Sequence, residues 1–152
     1  MLFCACNSDN KTVETIKYPI EGLWIGTQTC DNDHKESSDN FYSMVVYEDG
    51  SILTKGKGSD GNTYYATGTW SLSPSNLFTA TITTLIFRGP PVTQAFTFNY
   101  SDSGVMTDGR WKDTLNGTQF GHFSRMRHIP VTKEKTDNRI MNSFLSSIIL
   151  SF

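Results

Sequence analysis

The ten residues TYYATGTWSL, at positions 63–72, show the alternation that decides the fold. Tyr64, Ala66, Gly68, Trp70 and Leu72 occupy alternate positions, and the residues between them mostly carry hydroxyl groups. Alternate side chains of a β-strand point to opposite faces, so this segment has one apolar face and one hydroxyl-bearing face. The pattern predicts a strand whose two faces contact the core and water.

The same alternation continues on both sides of this segment. In LFTATITTLIF, residues 77–87, Phe78, Ala80, Ile82 and Ile86 alternate with threonines. Reversal signals such as SPSN, RGPP and SDSG, rich in Gly, Pro, Asn and Asp, separate the alternating segments. The predicted strands are residues 22–29, 41–47, 51–57, 63–72, 77–87, 92–100, 105–113 and 118–128.

The spacing of these segments favours an antiparallel meander closed into a barrel. Six of the seven connections are short, and neighbours joined by short turns run antiparallel. Only CDNDHKESSDN, residues 30–40, is a long loop. Closure hides both sheet edges, so we predict an all-β, eight-stranded, up-and-down antiparallel barrel. A two-sheet sandwich is the alternative, but one long loop supplies few of the crossings that it needs.

Length and composition limit the class of protein. A chain of 152 residues suits one domain, and its formal net charge of -2 gives no reason to expect a nucleic-acid partner. No run of 18 apolar residues exists, so the sequence predicts no transmembrane helix. We expect a monomer.

Three Gly-x-Trp triplets, GLW, GTW and GRW, end at Trp24, Trp70 and Trp111. Glycine two positions before tryptophan lies on the same strand face and leaves room there for a ring from a neighbouring strand. Packing in a barrel core explains the triplets, and lining a ligand cavity is the functional alternative for Trp70 and Trp111. The predicted ligand-binding residues are the aromatic side chains of the inward face: Tyr64, Trp70, Phe78, Phe96, Phe98 and Trp111.

The motifs at the two ends of the barrel segment resemble the lipocalin-like (calycin) barrels. IEGLWIG, residues 20–26, is similar to the opening of their first strand, and FSRMRH, residues 123–128, to the end of their last. The resemblance implies that Trp24 closes one barrel end, that Arg125 or Arg127 packs across it, and that the 30–40 loop lies at the open end. Avidin-like barrels are similar in length and aromatic content, but the polar residues of a biotin site cannot be placed here.

Catalytic and cofactor motifs are missing from the sequence. GKGSDG, residues 56–61, matches the Gly-x-Gly-x-x-Gly spacing, but a dinucleotide site needs a following helix, and a strand follows. CDNDHKE, from Cys30 to Glu36, has ligand-type residues without the spacing of a known zinc or calcium site. His122 and His128 have no acid or nucleophile at a telling spacing. We therefore expect no cofactor, no metal and no catalysis.

The amino-terminal MLFCACNSDN contains two cysteines one residue apart. A metal or redox pair, or a disulfide, would need a folded element to hold the thiols. LFCAC instead resembles the lipobox of bacterial lipoproteins, which implies that Cys4 is removed with a signal peptide and that Cys6 carries acyl chains. That resemblance implies a lipid anchor in the outer membrane of a Gram-negative cell, with Cys30 left as a lone thiol.

The carboxyl-terminal IMNSFLSSIILSF predicts an amphipathic helix, because its apolar residues recur every four positions. Thr136 or Asp137 is a plausible N-cap. A helix of about 13 residues is too short to span a bilayer. We expect it to pack on the barrel or a partner, since a membrane-surface helix usually has more Lys and Arg on its polar face.

Together these features predict three regions and one function. Residues 1–19 are the signal remnant, lipobox and tether, residues 20–129 the barrel, and residues 130–152 a linker and the helix. The expected function is non-catalytic binding of a small apolar or amphipathic ligand inside a lipid-anchored barrel. The alternative is a solidly packed barrel that binds a protein or glycan in the cell envelope.

Overall fold

A computed structural model describes residues 16–31, 39–58, 61–85, 91–114 and 119–130 of the chain. These residues form nine strands and no helix: β1 Gly22–Cys30, β2 Asn40–Val46, β3 Ser51–Lys57, β4 Thr63–Leu72, β5 Leu77–Thr84, β6 Thr93–Ser101, β7 Val105–Asp113, β8 Phe120–Phe123 and β9 Met126–Ile129. The predicted carboxyl-terminal helix, the lipobox around Cys6 and residues 32–38 of the long loop lie outside the described residues. No helix in the described ranges is long and apolar enough to cross a bilayer.

The strands form an eight-stranded antiparallel barrel, as the sequence predicts. Each strand from β1 to β8 pairs with the next, and β8 pairs back onto β1, which closes the sheet. The ninth strand follows β8 and also pairs with β1 and β7. Together β8 and β9 fill the space between β1 and β7, so the sheet has no free edge there. The described residues therefore form a closed barrel and not a two-sheet sandwich.

The predicted eighth strand, residues 118–128, is interrupted. Ser124 and Arg125 separate β8 from β9, and the register against β1 shifts by one residue between Gln28↔Phe123 and Ile25↔Arg127. Ser124 fixes this break, because its backbone N donates to Thr27 O at 2.9 Å and its side-chain oxygen lies 2.6 Å from Thr27 Oγ1. A bulge of this kind re-aims the side chains that follow it.

Alternation along the strands divides core from surface. In β5, Phe78, Ala80 and Ile82 are buried, whereas Leu77 and Thr81 are exposed. In β4 four of the five intervening positions, Thr63, Thr67, Thr69 and Ser71, are exposed, and the fifth, Tyr65, is half-buried. The period of two therefore located the inner wall of these two strands correctly.

The Gly-x-Trp glycines lie where neighbouring strands approach closely. A Cβ at Gly109 would overlap the Phe98 ring of β6, and one at Gly22 would lie 2.6 Å from the His128 ring of β9. These two positions confirm the prediction that a ring occupies the vacant space. At Gly68 the obstacle is backbone, the carbonyl of Thr81, rather than a ring.

The barrel core is a cluster of aromatic rings. Phe78 and Phe98 are fully buried, and Phe96 contacts both of them at ring-centroid distances of 6.3 and 5.9 Å. Phe123 joins the cluster from β8, 4.9 Å from Phe98. Because these rings meet across the barrel axis, the middle of the barrel is filled with side chains.

The end of the barrel that carries the turns at residues 47–50, 73–76 and 102–104, here the closed end, is sealed by residues 16–21. Tyr18 N donates to Asp102 O at 2.7 Å, and the Tyr100 hydroxyl donates to Tyr18 O at 2.6 Å. Inside this strap, Trp24 is fully buried, and its Nε1 donates to Ile20 O at 2.8 Å. Trp24 thus lies at a sealed barrel end.

The side chain that packs against Trp24 is His128, not an arginine. The His128 ring centroid lies 5.1 Å from that of Trp24 at an interplanar angle of 81°. Arg127 pairs with Ile25, one residue along from Trp24, so it belongs to the opposite face, and both Arg127 and Arg125 are exposed. The one-residue register shift before β9 gives the inward position opposite Trp24 to His128.

Candidate functional site

The opposite end of the barrel, here the open end, contains a cup of about 380 Å³. It lies among the last residues of β1, β3 and β7 and the first residues of β2, β4 and β6, all of which meet at this end because the strands are antiparallel. Its lining includes Tyr42, whose ring contacts Phe123 and Phe96 of the aromatic core. Volumes of 300–1,000 Å³ are typical of small-molecule sites.

Rings and uncharged polar groups share the wall of the cup. Tyr42, Tyr64, Tyr65 and Trp111 supply the rings, and hydroxyls come from Thr29, Thr54 and Thr84. Four side-chain amides complete the polar set: Gln28, Asn40, Gln94 and Gln119. The side chains of Gln28 and Gln94 make no hydrogen bond among the described residues.

The described lining includes one charged side chain, Lys57, which is exposed. It includes no carboxylate; Asp113 pairs with Gln94 but is buried outside the lining. An ion taken deep into the cup would lose hydration without gaining a counter-charge there, which is costly. The cup is thus electrostatically suited to uncharged groups in its interior and to an anion near Lys57.

Tyr42 is one of the buried polar residues in the lining of the cup. Its ring is held between Phe123, at 4.8 Å, and Phe96, at 6.5 Å. Its hydroxyl is buried and makes no hydrogen bond of good geometry among the described residues. The Thr54 hydroxyl lies beside it but donates to Ala66 O at 3.4 Å. A buried hydroxyl without a partner costs about 1–3 kcal/mol, so a ligand acceptor that paired with Tyr42 would gain a favourable hydrogen bond.

The Tyr42 hydroxyl is a neutral donor under ordinary conditions. Burial raises the pKa of this phenol well above the 10.0 of a free tyrosine, and the adjacent Thr54 hydroxyl offsets the shift only in part. The ionised form is therefore not populated near neutral pH. The group can offer an O–H to an acceptor without any change of charge.

Trp111 lies in the wall of the cup, between the aromatic core and the open end of the barrel. Its Nε1 donates to Thr29 O at 3.0 Å, which fixes the indole against β1. The free thiol of Cys30 lies on the same side of the cup and is half-buried. At the outer rim, His122 Nδ1 and Asp31 Oδ1 are 2.8 Å apart, both partly exposed.

The structure separates the six predicted ligand-binding residues into two groups. Tyr64 and Trp111 line the cup. Phe78, Phe96 and Phe98 belong to the packed core, and Trp70 lies near the closed end, stacked on Phe78 at 5.7 Å with its Nε1 bonded to Tyr47 O at 2.9 Å. Ligand contact by the core residues stays a prediction.

Sequence reasoning missed Tyr42, Gln28 and Gln94. Their signal was present, because Tyr42 alternates with Met44 and Val46 in NFYSMVV, and that alternation places it on the inner face. Polar residues on an inward face near the end of a strand identify the wall of a cavity, whereas aromatic residues alone identify the core.

A second, shallower depression of about 340 Å³ lies beside β6, β7 and β8. Arg110, Lys112 and the half-exposed Phe120 form part of its lining. Elsewhere in the described ranges, no group of three or more His, Cys, Asp or Glu side chains is arranged to hold a metal ion. The predicted ligand-type residues Asp33, His34 and Glu36 lie outside the described residues.

Comparison with protein-family models, with curated proteins and with solved structures finds no match to this chain. The fold and the cup define a class of protein: an eight-stranded antiparallel β-barrel, sealed at one end and hollow at the other.

Proposed function

We propose that the barrel binds a small amphipathic molecule in the cup and does not transform it. One observation supports this most: aromatic rings, the unpaired hydroxyl of Tyr42 and the amides of Gln28 and Gln94 share one open cavity of about 380 Å³. Ligand sites typically combine apolar walls with a few polar groups that fix orientation.

An amphipathic ligand fits the wall better than a purely apolar one. A hydrocarbon would cover the amides of Gln28 and Gln94 without replacing their hydrogen bonds to water, at a cost of about 1–3 kcal/mol for each group left unpaired, and it would offer the Tyr42 hydroxyl no acceptor. A ligand with both rings and polar atoms covers Tyr64 and Trp111 while pairing those groups. Lys57 would accept an anionic end at the mouth.

Filling the cup tests the proposal. Ala66 lies in the wall between Thr54 and Thr84, so Ala66→Phe would place a ring inside the cavity. Wild type is expected to bind anilinonaphthalene sulfonate or lauric acid saturably at one site, and Ala66→Phe to bind at least about tenfold more weakly. The measurements are probe fluorescence and its displacement by the fatty acid.

Thr69→Phe is the matched control, because Thr69 lies on the same strand but is exposed on the outer face. It adds the same bulk outside the barrel and should leave binding unchanged. Far-UV circular dichroism and urea titration establish that each variant is folded. Equal binding by wild type and Ala66→Phe, or no saturable binding by wild type, would contradict the proposal.

The alternative function is an interaction module that uses the outer surface. The packed aromatic core and the depression beside Phe120, with Arg110 and Lys112, are the observations that favour it. In that case the probe would bind Thr69→Phe and Ala66→Phe alike, or would bind neither those variants nor wild type.

We further propose that this is a lipocalin-like barrel held on the outer membrane through acylated Cys6, with an amphipathic helix after residue 130. The sealed end around Trp24 supports the kinship, since the family closes its barrel with such a residue. The described chain enters at the closed end, so a tether attached there would leave the cup facing away from the membrane. Mass spectrometry of the membrane fraction tests the anchor: acyl chains on Cys6 support it, and an unmodified Cys6 in membrane-free protein contradicts it.

A further inference from the structure

The buried hydroxyl groups in the lining of the cup determine which ligand atoms can bind there. The Tyr42 hydroxyl can donate one hydrogen bond, and its position is fixed by the rings of Phe96 and Phe123. Thr54 beside it already uses its own hydrogen on the Ala66 carbonyl. The Tyr42 hydroxyl has no hydrogen-bond partner of good geometry among the described residues, so it can donate to an acceptor atom that enters the cup.

That acceptor must be uncharged. The interior wall includes no cationic side chain to balance a carboxylate or phosphate, since Lys57, the one charged residue of the described lining, is exposed. A neutral carbonyl oxygen accepts a hydrogen bond without needing a counter-charge.

The side chain of Gln28 lies near the Tyr42 ring in the lining of the cup. Gln28 Nε2 lies 3.2 Å from the point where a Cβ of Gly56 would stand, and Tyr42 Cδ2 lies 3.0 Å from the same point, so the amide lies beside the ring. The Gln28 side chain makes no hydrogen bond to any described residue, so its displacement breaks no hydrogen bond among them. Its amide can then pair with the ligand that displaced it.

From these contacts we infer that the cup takes a ring-bearing molecule whose buried part is uncharged and whose carbonyl oxygen accepts a hydrogen bond from the Tyr42 hydroxyl. This inference rests on the proposed function and names the chemical class of its ligand. The ring lies against the aromatic part of the wall, which includes Tyr64 and Trp111, and the carbonyl points toward the core.

A matched pair of probes tests the inference. Indanone and indane have the same fused-ring frame, and only indanone carries a carbonyl. Wild-type full-length protein is expected to bind indanone about 5- to 10-fold more tightly than indane, as one additional hydrogen bond allows. Tyr42→Phe should weaken indanone binding by that factor and leave indane unchanged. Ligand-observed nuclear magnetic resonance measures both affinities.

Tyr100→Phe is the control, because it removes the same atom at the closed end, where that hydroxyl donates to Tyr18 O. It should keep the preference for indanone and shift the urea midpoint down, whereas Tyr42→Phe, which removes an unpaired hydroxyl, should not lower it. A preference for indanone that survives in Tyr42→Phe overturns the inference, as does equal binding of both probes by wild type.

The outcomes also distinguish this inference from the proposed binding function on which it rests. If anilinonaphthalene sulfonate binds in the cup and neither indanone nor indane does, the ligand class is wrong and the binding function stands. If no probe binds wild type, both are wrong.

Discussion

Replacing Trp24 with alanine is expected to lower the free energy of unfolding by about 4 kcal/mol. The indole is fully buried, contacts the rings of His128 and Tyr100 at 5.1 and 6.1 Å, and donates a hydrogen bond to Ile20 O. Its removal leaves a cavity at the closed end and an unpaired carbonyl. In a urea titration with a slope of about 2 kcal/mol/M, the midpoint should fall by about 2 M.

Phe41→Ala provides the comparison, because Phe41 is a large aromatic residue of β2 that is 45% exposed. Its truncation removes little buried area and should cost only about 0.5 kcal/mol. If Trp24→Ala costs no more than Phe41→Ala, then Trp24 does not seal the barrel, and the description of the closed end is wrong.

Gly68→Ala is expected to destabilise the barrel by about 3 kcal/mol, far more than a single methyl group usually does. The new Cβ would overlap the carbonyl oxygen of Thr81 and lie 2.7 Å from Ile82 Cα. These are backbone atoms of β5, so no side-chain rotation relieves the clash, and β4 and β5 must separate. Urea titration measures the loss.

Gly56→Ala on the neighbouring strand is the control for this second change. The atoms nearest to its Cβ would belong to side chains, Tyr42 Cδ2 at 3.0 Å and Gln28 Nε2 at 3.2 Å, so Gln28 can rotate away and the Tyr42 ring needs to move by only a few tenths of an ångström. We expect a cost of no more than about 1 kcal/mol. Equal costs for the two alanines would mean that the close approach of β4 and β5 at Gly68 is not a feature of the molecule.

The wall of the barrel was predictable because a strand has a period of two. TYYATGTWSL and LFTATITT place their apolar residues on one face whatever their neighbours are, and the turn residues between them require antiparallel pairing. Eight such segments in succession leave closure as the simplest way to remove the edges. This much of the fold follows from local rules.

The break in the last strand follows from a long-range contact and was not predictable. Ser124 and Thr27 are 97 residues apart in the chain, and their hydroxyls meet at 2.6 Å only after closure. The resulting one-residue shift gives His128, rather than Arg127, the position at Trp24. No local pattern in FSRMRH distinguishes the two outcomes.

The position of each inward-facing residue along the barrel axis also could not be predicted from the sequence. Alternation says that Phe78 and Tyr64 both face inward, but it does not say how far along the barrel axis each one lies. Strand stagger places Phe78 in the core and Tyr64 at the open end. A list of inward aromatic residues therefore mixes the core with the wall of the cavity.

The most direct test of the central claim, that the hollow end of this barrel is a binding site, is a map of backbone amide shifts during titration with anilinonaphthalene sulfonate. We predict the largest changes at Gln28, Thr54 and Gln94 around the cup, with saturation at one equivalent. The amides of Trp24 and His128 at the closed end should stay fixed. Changes confined to the closed end, or to the outer surface near Phe120, would contradict the account.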